Sequence, residues 1–428
     1  MRLSRERNDT LFNFSFISKA FTTEDNPVDT SSKPFTLALG KIKLSHLQFL
    51  MDDQYGGQVY QLSLASLKSD VKKLDLQTMK IEAAYFYTDS VNTTIRLFSS
   101  NAPKKITTDT TTSPFTVIAD SINLGNTIFS FENRETMMDV KTSAGSLTAG
   151  NVKYDQLLFN ITTGRIALNN HTTVVKIKST PVAAVIDTIS SSSTSKPFTF
   201  SIAGIDLDKN NFVFDDVAIA PLKINTAIDF RHLKMEQISL HADSIIYTGS
   251  GYVAVIKEMM LQEKSGFKLK QLKSNINYTD SSVAVKNFLI STNNNLLQGD
   301  AFIAYQSLDK IMTAPAKTII NASVNNSIIQ LSDLLYFNPA LKNNASFRPL
   351  TGKVFWLNTK VSGTLEKLSV PSVSLKQSGL KLLASAEVFH PVDVKKLQID
   401  LKLKEFSGTR SELLALLPAK TIPDSFLQ

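Results

Sequence analysis

The sequence predicts an all-β fold, an elongated repeat protein in which a meander of antiparallel strands is interrupted by only a few short helices. Three observations predict it. Three similar segments recur at near-equal spacing, apolar and polar residues alternate within them, and no helical periodicity separates the strands. The chain has 428 residues, of which 43% are hydrophobic. That length exceeds one compact sandwich, so several domains or growth by repetition is expected.

The three similar segments are residues 33–53, 113–133 and 196–216, which begin 80 and then 83 residues apart. Each opens with Pro-Phe-Thr and passes through a small residue to Ile-x-Leu. Each then ends with phenylalanine, any residue, an apolar residue and an acidic one. Three copies at such regular spacing indicate internal repeats.

The third copy shows how one repeat is expected to fold. Apolar and polar residues alternate over 198–202, the period of a strand with one apolar face. The alternation slips by one residue at Ala203-Gly204, where the glycine predicts a bulge or a tight bend. Phe212 and Phe214 resume the alternation, and the Asp215-Asp216 pair predicts a turn.

Polar linkers of low complexity precede the copies and set the expected boundaries. Phe12, Phe14 and Phe16 alternate with other residues and predict a strand that ends an earlier unit. The chain is therefore expected to begin inside the repeat array, which would account for the missing export signal. The expected parts are the end of a preceding repeat with its linker at 1–32, repeats at 33–112, 113–195 and 196–315, and a continuation at 316–428.

Two short helices are expected in the continuation, near 332–338 and 411–417. Ser332 and Ser411 are the expected N-caps, and a proline follows each segment. Helices this short need tertiary support, so we expect them to cover an edge or an end of the sheet.

The sequence offers no constellation for catalysis, cofactor binding or metal binding. There is no cysteine, and the five histidines are scattered without the spacing of metal ligands. No nucleophile elbow, phosphate-binding loop or dinucleotide motif is found. The acidic pairs Asp52-Asp53 and Asp215-Asp216 occupy matching positions of the repeat. Equivalent turns explain this match better than a calcium site does. We therefore expect no enzyme activity, no cofactor and no metal.

The net charge of +8 is spread along the strands rather than clustered. Lysines alternate with apolar residues in 175–178 and 401–404, which favours a solvated strand face. Basic clusters interleaved with aromatic residues are not found, so we expect no nucleic-acid partner. No run of about 18 apolar residues predicts a membrane-spanning helix.

Several motifs, taken in order, point to a family. The Pro-Phe-Thr openings are followed by Val-Lys-Lys-Leu-Asp-Leu at 71–76 and by Phe-x-Leu-x-x-Leu at 267–272. Ser-Asp-Leu-Leu-x-Phe-x-Pro then occupies 332–339, and Ser-Glu-Leu-Leu-x-Leu-Leu-Pro occupies 411–418. Over nearly its whole length the chain resembles the middle of TamB-type proteins of the AsmA-like superfamily, in the style of Bacteroidota sequences.

The resemblance implies a taco-shaped, solenoid-like β-groove with an apolar inner face. It implies a periplasmic body that is anchored in the inner membrane and reaches the outer membrane, although neither an anchor nor the C-terminal domain is recognised in this sequence. The implied functions are phospholipid movement between the two membranes and assistance to outer-membrane protein assembly with a TamA- or BamA-type barrel. The implied location is the periplasm or cell envelope.

The first hypothesis is a conduit in which acyl chains lie along an open apolar groove while head groups stay in water. Its candidate lining residues are Phe35, Leu37, Phe115, Val117, Phe198, Phe200, Phe212 and Phe214. The second hypothesis is a scaffold that pairs with strands of outer-membrane barrels during their assembly. The third is a surface adhesin made of sealed β-sandwich repeats.

Overall fold

The computed structural model describes residues 1–15, 36–37, 40–75, 78–101, 114–179, 197–223, 226–393 and 395–418. Within these residues the chain forms 21 strands, three α-helices of four to six residues and four short 3-10 segments. The predicted all-β class with a few short helices is confirmed. The chain divides into two compact units, the first being Met1–Pro221 with Phe230–Lys234 and the second Leu222–Asp229 with Met235–Gln428.

The first unit contains the three similar sequence segments. Its strands are β1 (Arg2–Arg5), β2 (Thr36–Leu37), β3 (Gly40–Asp53), β4 (Gln58–Asp75), β5 (Lys80–Asp89), β6 (Asn92–Leu97), β7 (Thr116–Asn133), β8 (Met138–Asp155), β9 (Asn160–Asn169), β10 (Thr172–Ile177) and β11 (Thr199–Asp216). The long strands β3, β7 and β11 carry the three recurring segments. Period-two alternation over so many residues is what makes them strands.

The first two repeats are each a three-stranded meander whose last strand is broken in two. In the second repeat β7 pairs antiparallel with β8, which pairs antiparallel with β9 and then β10. The third repeat begins with β11, which lies parallel to β9 and β10. β7 is parallel to β5 and β6 in the same way. The repeats therefore join through parallel pairs, which an antiparallel meander does not contain and which require long connections.

The start of the chain differs from the prediction. β1 lies parallel to the end of β3, with Arg5 opposite Asp53, in the place that β6 takes beside β7. Phe12 and Phe14 lie outside any strand. Their rings contact each other, and the Arg5 guanidinium lies over the Phe12 ring. Phe16 lies outside the described residues.

The long strands of the first unit are interrupted at matching positions. His46, Asn126 and Lys209 have φ angles of 52°, 46° and 53°, and they occupy equivalent sites in β3, β7 and β11. Ser90 and Asn170, between the two parts of each broken strand, also have positive φ. A residue in this conformation bends a strand and shifts its alternation by one. In β11 this residue is Lys209 and not Ala203 or Gly204, where the sequence predicts the slip.

The second unit is built from antiparallel strand pairs that follow one another along the chain. Its strands are β12 (His232–Tyr247, of which the first three residues belong to the first unit), β13 (Gly251–Glu263), β14 (Lys268–Thr279), β15 (Ser282–Ser291), β16 (Leu296–Ala304), β17 (Ile319–Gln330), β18 (Val354–Thr364), β19 (Lys367–Gln377), β20 (Leu380–Phe389) and β21 (Gln398–Ser407). Helix α1 (Leu308–Thr313) follows β16, α2 (Leu334–Phe337) follows β17, and α3 (Arg410–Leu414) follows β21. The 3-10 segments are Pro315–Lys317, Leu331–Asp333, Pro339–Asn343 and Arg348–Leu350.

Helices α2 and α3 lie where the sequence predicts helices, but their caps differ. Thr409, and not Ser411, caps α3. The side chains of Thr409 and Glu412 form a capping box, in which each accepts a hydrogen bond from the other residue's backbone N–H. Ser332 lies in the 3-10 segment before α2 and is not its N-cap. α2 packs at the end of the sheet, where Phe267 in a strand-connecting turn makes edge contacts with Tyr336 and Phe337.

Candidate functional site

The register of the first unit aligns apolar residues in rows that cross the strands. One row contains leucine in six of its seven strands, and we call it the leucine row. Its members are Leu44, Leu67, Thr88, Leu124, Leu147, Leu168 and Leu207. We call the sheet face that carries it the apolar face.

Further rows on the same face contain five of the predicted groove residues. One row begins at the backbone of Leu37, passes through Val117 and ends at Phe200. Phe212 ends a row that starts at Phe49, and Phe214 ends the next row. The prediction thus selected residues that share one face, although it had no means of knowing which strands lie between them.

Phe115 and Phe198 lie just before strands β7 and β11. The Phe115 ring is 5.2 Å from that of Tyr154, which lies in the same row as Val117. The Phe198 ring is 5.2 Å from Phe159 and 6.1 Å from Phe200. Both extend the apolar face beyond the first row. Phe35 lies outside the described residues.

The apolar face is not sealed. In the leucine row Leu44 is exposed and the other six residues are half-buried. In β11 the buried residues are Gly204, Asn210 and Asp216, none of which has a large apolar side chain. A sandwich interior at ordinary protein density would bury these rows almost completely. Among the described residues of the chain, twelve apolar side chains are buried, and six of them are alanine.

The opposite face of the same strands is polar. Arg96 and Glu132 face each other across the β6–β7 pair at 3.3 Å, and Arg165 lies 3.0 Å from Asp206 across β9 and β11. Such exposed ion pairs contribute little stability, about 0–1 kcal/mol each. Their presence identifies this face as the solvated side of the sheet. The apolar face is the unusual surface, because its apolar residues are only half-buried.

Polar residues with a repeated role close one end of the apolar face. Asp53, Asn133 and Asp216 occupy equivalent positions at the ends of β3, β7 and β11. In each case a side-chain oxygen accepts a hydrogen bond from a backbone N–H of the following turn, namely that of Gly56 (2.7 Å), Glu135 (3.0 Å) or Ala218 (3.2 Å). The matching acids are therefore turn caps.

The two carboxylates among these caps are fully buried and are neutralised by arginine. Arg5 donates to Asp53 at 2.6 and 2.8 Å, and Arg231 donates to Asp216 at 3.0 Å. Burial raises the pKa of Asp53, but the hydrogen bonds from Arg5 and Gly56 outweigh burial, and the pKa lies below its ordinary value. Hydrogen bonds from Ser179, chiefly from its side chain, hold the pKa of Asp216 below its ordinary value despite burial.

Sequence reasoning missed the contribution of the return strands. β4, β8 and the broken strands supply most members of each row, among them Leu67, Leu147 and Leu168. These strands were recognisable by their alternation, but only the register shows which of their faces joins the row.

Neither a helix long and apolar enough to cross a membrane nor a cluster of metal-ligating side chains occurs among the described residues. Comparisons with protein-family models, with curated proteins and with solved structures found no match to the chain.

Proposed function

We propose that this chain binds acyl-chain lipids on the apolar face and forms part of a periplasmic conduit that carries phospholipids between the inner and outer membranes. The observation that supports it is the set of half-exposed, mainly apolar rows that cross seven strands of one unit. The polar members of the rows described above are threonines, one in the leucine row (Thr88) and three in the row from Phe49 to Phe212 (Thr93, Thr142 and Thr173). The polar opposite face and the terminal turn caps confine the apolar surface to one side.

The dimensions suit a lipid tail. Neighbouring strands lie about 4.8 Å apart, so a row of seven strands is about 29 Å long. A bilayer core is about 30 Å thick and holds two layers of tails, so one row can accommodate a full acyl chain. Each methylene removed from water contributes about 0.8 kcal/mol. Binding of this kind needs no specific chemistry, and a tail can slide from one row to the next.

The test uses the purified chain and native mass spectrometry. Phe200→Asp and Phe212→Asp place a charge on the apolar face, and we expect them to lose co-purifying phospholipid. Ser201→Asp places the same charge on the neighbouring position of β11, whose side chain faces the other way, and should retain lipid. Equal lipid content in all three variants would refute the proposal.

A second candidate, the assembly scaffold, has support from β21. This strand pairs with β20 on one edge, and its other edge has no described partner. All ten of its residues are exposed, and the side chains of Ile399, Leu401 and Leu403 are 57%, 57% and 56% exposed. An open edge of this kind can accept an added strand from a client or from an outer-membrane barrel.

The two candidates differ in which variant matters. A proline at Leu401 should block strand addition at β21 while leaving lipid bound in the first unit. A photoreactive group at Lys402 should crosslink to an unfolded outer-membrane barrel if the barrel pairs with β21. Loss of that crosslink in Leu401→Pro would favour the scaffold. For the adhesin hypothesis, which expects sealed cores, the described residues provide no supporting feature.

A further inference from the structure

Strand β21 of the second unit carries apolar and charged residues in alternation. Three apolar residues share one face of the sheet, opposite apolar residues of β20: Ile399, Leu401 and Leu403. Asp400 and Lys402 lie between them and share the other face. The register shift of the β20–β21 pair comes only after Leu403, so the alternation is regular over residues 398–403.

The edge of β21 that faces away from β20 has no partner among the described residues. Helix α3 follows β21 but packs at the end of the strands, where the Glu412 carboxylate accepts a hydrogen bond at 2.9 Å from the backbone N–H of Gly379 in the β19–β20 turn. It therefore leaves the described edge uncovered. A long edge strand with exposed apolar side chains is a site at which another strand adds.

The charged face of β21 has unpaired charges. Asp400 lies opposite Glu387 of β20, and the carboxylate of Glu387 is already paired with Lys367 at 2.9 Å. The Asp400 carboxylate accepts a hydrogen bond only from the Gln398 amide, at 3.4 Å, among the described residues. Like charges directly opposite each other destabilise a strand pair. A cation opposite Asp400 on an added strand would compensate for Glu387.

The sequence of β21 is complementary to itself. When two copies of the strand run antiparallel with Leu401 opposite Leu401, each Asp400 lies opposite a Lys402, and each Ile399 lies opposite a Leu403. Every pair on the apolar face is then apolar, and both charge pairs are attractive.

Other registers lose this match. A shift of two residues places Lys402 opposite Lys402 or Asp400 opposite Asp400, and a shift of one residue places apolar residues opposite charged ones. In a parallel pair, charges face their like in register, and a shift of two leaves Lys402 opposite Lys404. The pattern therefore selects one antiparallel register.

We propose that β21 is the interface of a symmetric dimer, in which it pairs antiparallel with β21 of a second copy of this chain, with Leu401 on the two-fold axis. Such an interface is isologous and closed, so it produces a dimer and not a filament. The proposal does not rest on lipid binding by the first unit. A client strand would compete with the second copy for this edge.

The contact is a single strand pair, which belongs to the small interfaces of under about 1,200 Å². A reversible dimer that forms as the concentration rises is therefore expected. Sedimentation velocity of the full chain over a concentration series measures it.

Cysteine substitutions test the register, since the chain has no cysteine of its own. Leu401→Cys should form a disulfide between copies, because opposite Cα atoms lie about 4.5–5.5 Å apart and a disulfide spans about 4.4–6.8 Å. Ile399→Cys and Leu403→Cys should each fail to crosslink alone, because identical positions are then about 13 Å apart along the strands. The two variants should crosslink when mixed.

Exchange of charges tests the partner. Asp400→Lys places lysines opposite each other, and Lys402→Asp places carboxylates opposite each other, so each variant alone should raise the dissociation constant of the dimer about tenfold or more. An equimolar mixture of the two should restore the dimer, because every lysine again faces a carboxylate. Lys381→Asp, an exposed position of β20 outside the interface, is the matched control and should leave the dimer unchanged.

Three results would overturn the proposal. One is that the unaltered chain stays monomeric at every concentration and Leu401→Cys does not crosslink. Another is a dimer that both charge variants leave intact, or that their mixture fails to restore, since the interface would then lie elsewhere. The third is a monomeric chain that crosslinks through Lys402 to an unfolded outer-membrane barrel, which would assign this edge to a client strand.

Discussion

The two units build their sheets by different means. In the first unit the β3–β4, β7–β8 and β8–β9 pairs keep one register throughout, and the β4–β5 pair alone among its antiparallel pairs shifts. In the second unit every pair from β13–β14 to β20–β21 contains a register shift. A constant register keeps apolar residues aligned in rows across the strands. The shifts of the second unit lie within its strands, and short helices and buried polar groups occupy the turns at one end of its sheet.

This difference suggests a division of roles. A surface that guides a lipid tail benefits from rows that stay in register, which most strand pairs of the first unit provide. The turns of the second unit instead hold polar groups in fixed places around the buried Asp333. The following predictions test whether the first unit depends on its register and the second on its turns.

The largest effect is expected from Asp333→Ala in the second unit. It removes three hydrogen bonds to a buried carboxylate and leaves the donors of buried Thr292 and half-buried Asn295 without that partner, so we expect a loss of about 3 kcal/mol in the free energy of unfolding. The chain has a single tryptophan, Trp356 in β18, so tryptophan fluorescence during urea unfolding reports on this unit.

Asp333→Asn is the control, because it keeps one acceptor oxygen and should lose less. If Asp333→Ala unfolded at the same urea concentration as the unaltered chain, the turns would not be what holds the second unit.

The next effect concerns the bend positions of the first unit. Ala119 is fully buried next to the point where Asp120 of β7 and Asn151 of β8 leave the ladder, so Ala119→Leu should destabilise by about 1–3 kcal/mol through overpacking. Leu147→Phe, in the half-buried leucine row, should cost less than about 1 kcal/mol because the added atoms can face solvent. Circular dichroism during thermal unfolding compares the two variants. Equal losses would mean that the apolar face is as tightly packed as the bend.

A smaller effect is expected from pH at the two buried turn caps of the first unit, Asp53 and Asp216. The pKa values of Asp53 and Asp216 are lowered in the folded state, so the unfolded chain binds protons more readily. Their contribution is complete above the unfolded carboxylate pKa of about 3.9 and is lost as the pH falls through the lower folded values.

Asp53→Asn combined with Asp216→Asn should therefore be less stable than the unaltered chain at neutral pH, and the difference should vanish in acid. Both substitutions keep an oxygen for the turn. Asp208→Asn, at an exposed position of β11, is the control and should leave the pH dependence unchanged. An undiminished difference at low pH would show that the loss at neutral pH is not electrostatic.

The smallest effect is expected at α3. Thr409→Ala removes the capping box with Glu412 and should cost about 1 kcal/mol, whereas Ser411→Ala should cost less, since Ser411 does not cap the helix. Hydrogen exchange of the α3 amides measures this locally. Equal protection in both variants would contradict the assignment of the cap.

Much of the first unit could be predicted from sequence because its signals are local. Alternation identified the strands, and the repeated Pro-Phe-Thr segments identified β7 and β11 as equivalent. The parallel junctions were not predictable, because the polar linkers do not fix the direction in which the chain returns. The role of Leu147 and Leu168 was missed for the same reason, since a row is a property of register between strands.

The second unit shows the limits of local signals more clearly. The segment near 332–338 was recognisable as a short helix, but nothing nearby in sequence indicated that Asp333 would bind a turn some 40 residues earlier.

The central claim is that acyl chains reach the apolar face of the first unit from outside. The chain has no cysteine, so single cysteines can be introduced cleanly at Leu147 in the leucine row and at Thr148 on the opposite face, each labelled with a fluorophore. Phospholipids with a nitroxide on the acyl chain should quench the label at position 147 strongly and the label at position 148 weakly. Equal quenching at the two positions, or none at position 147, would contradict the account.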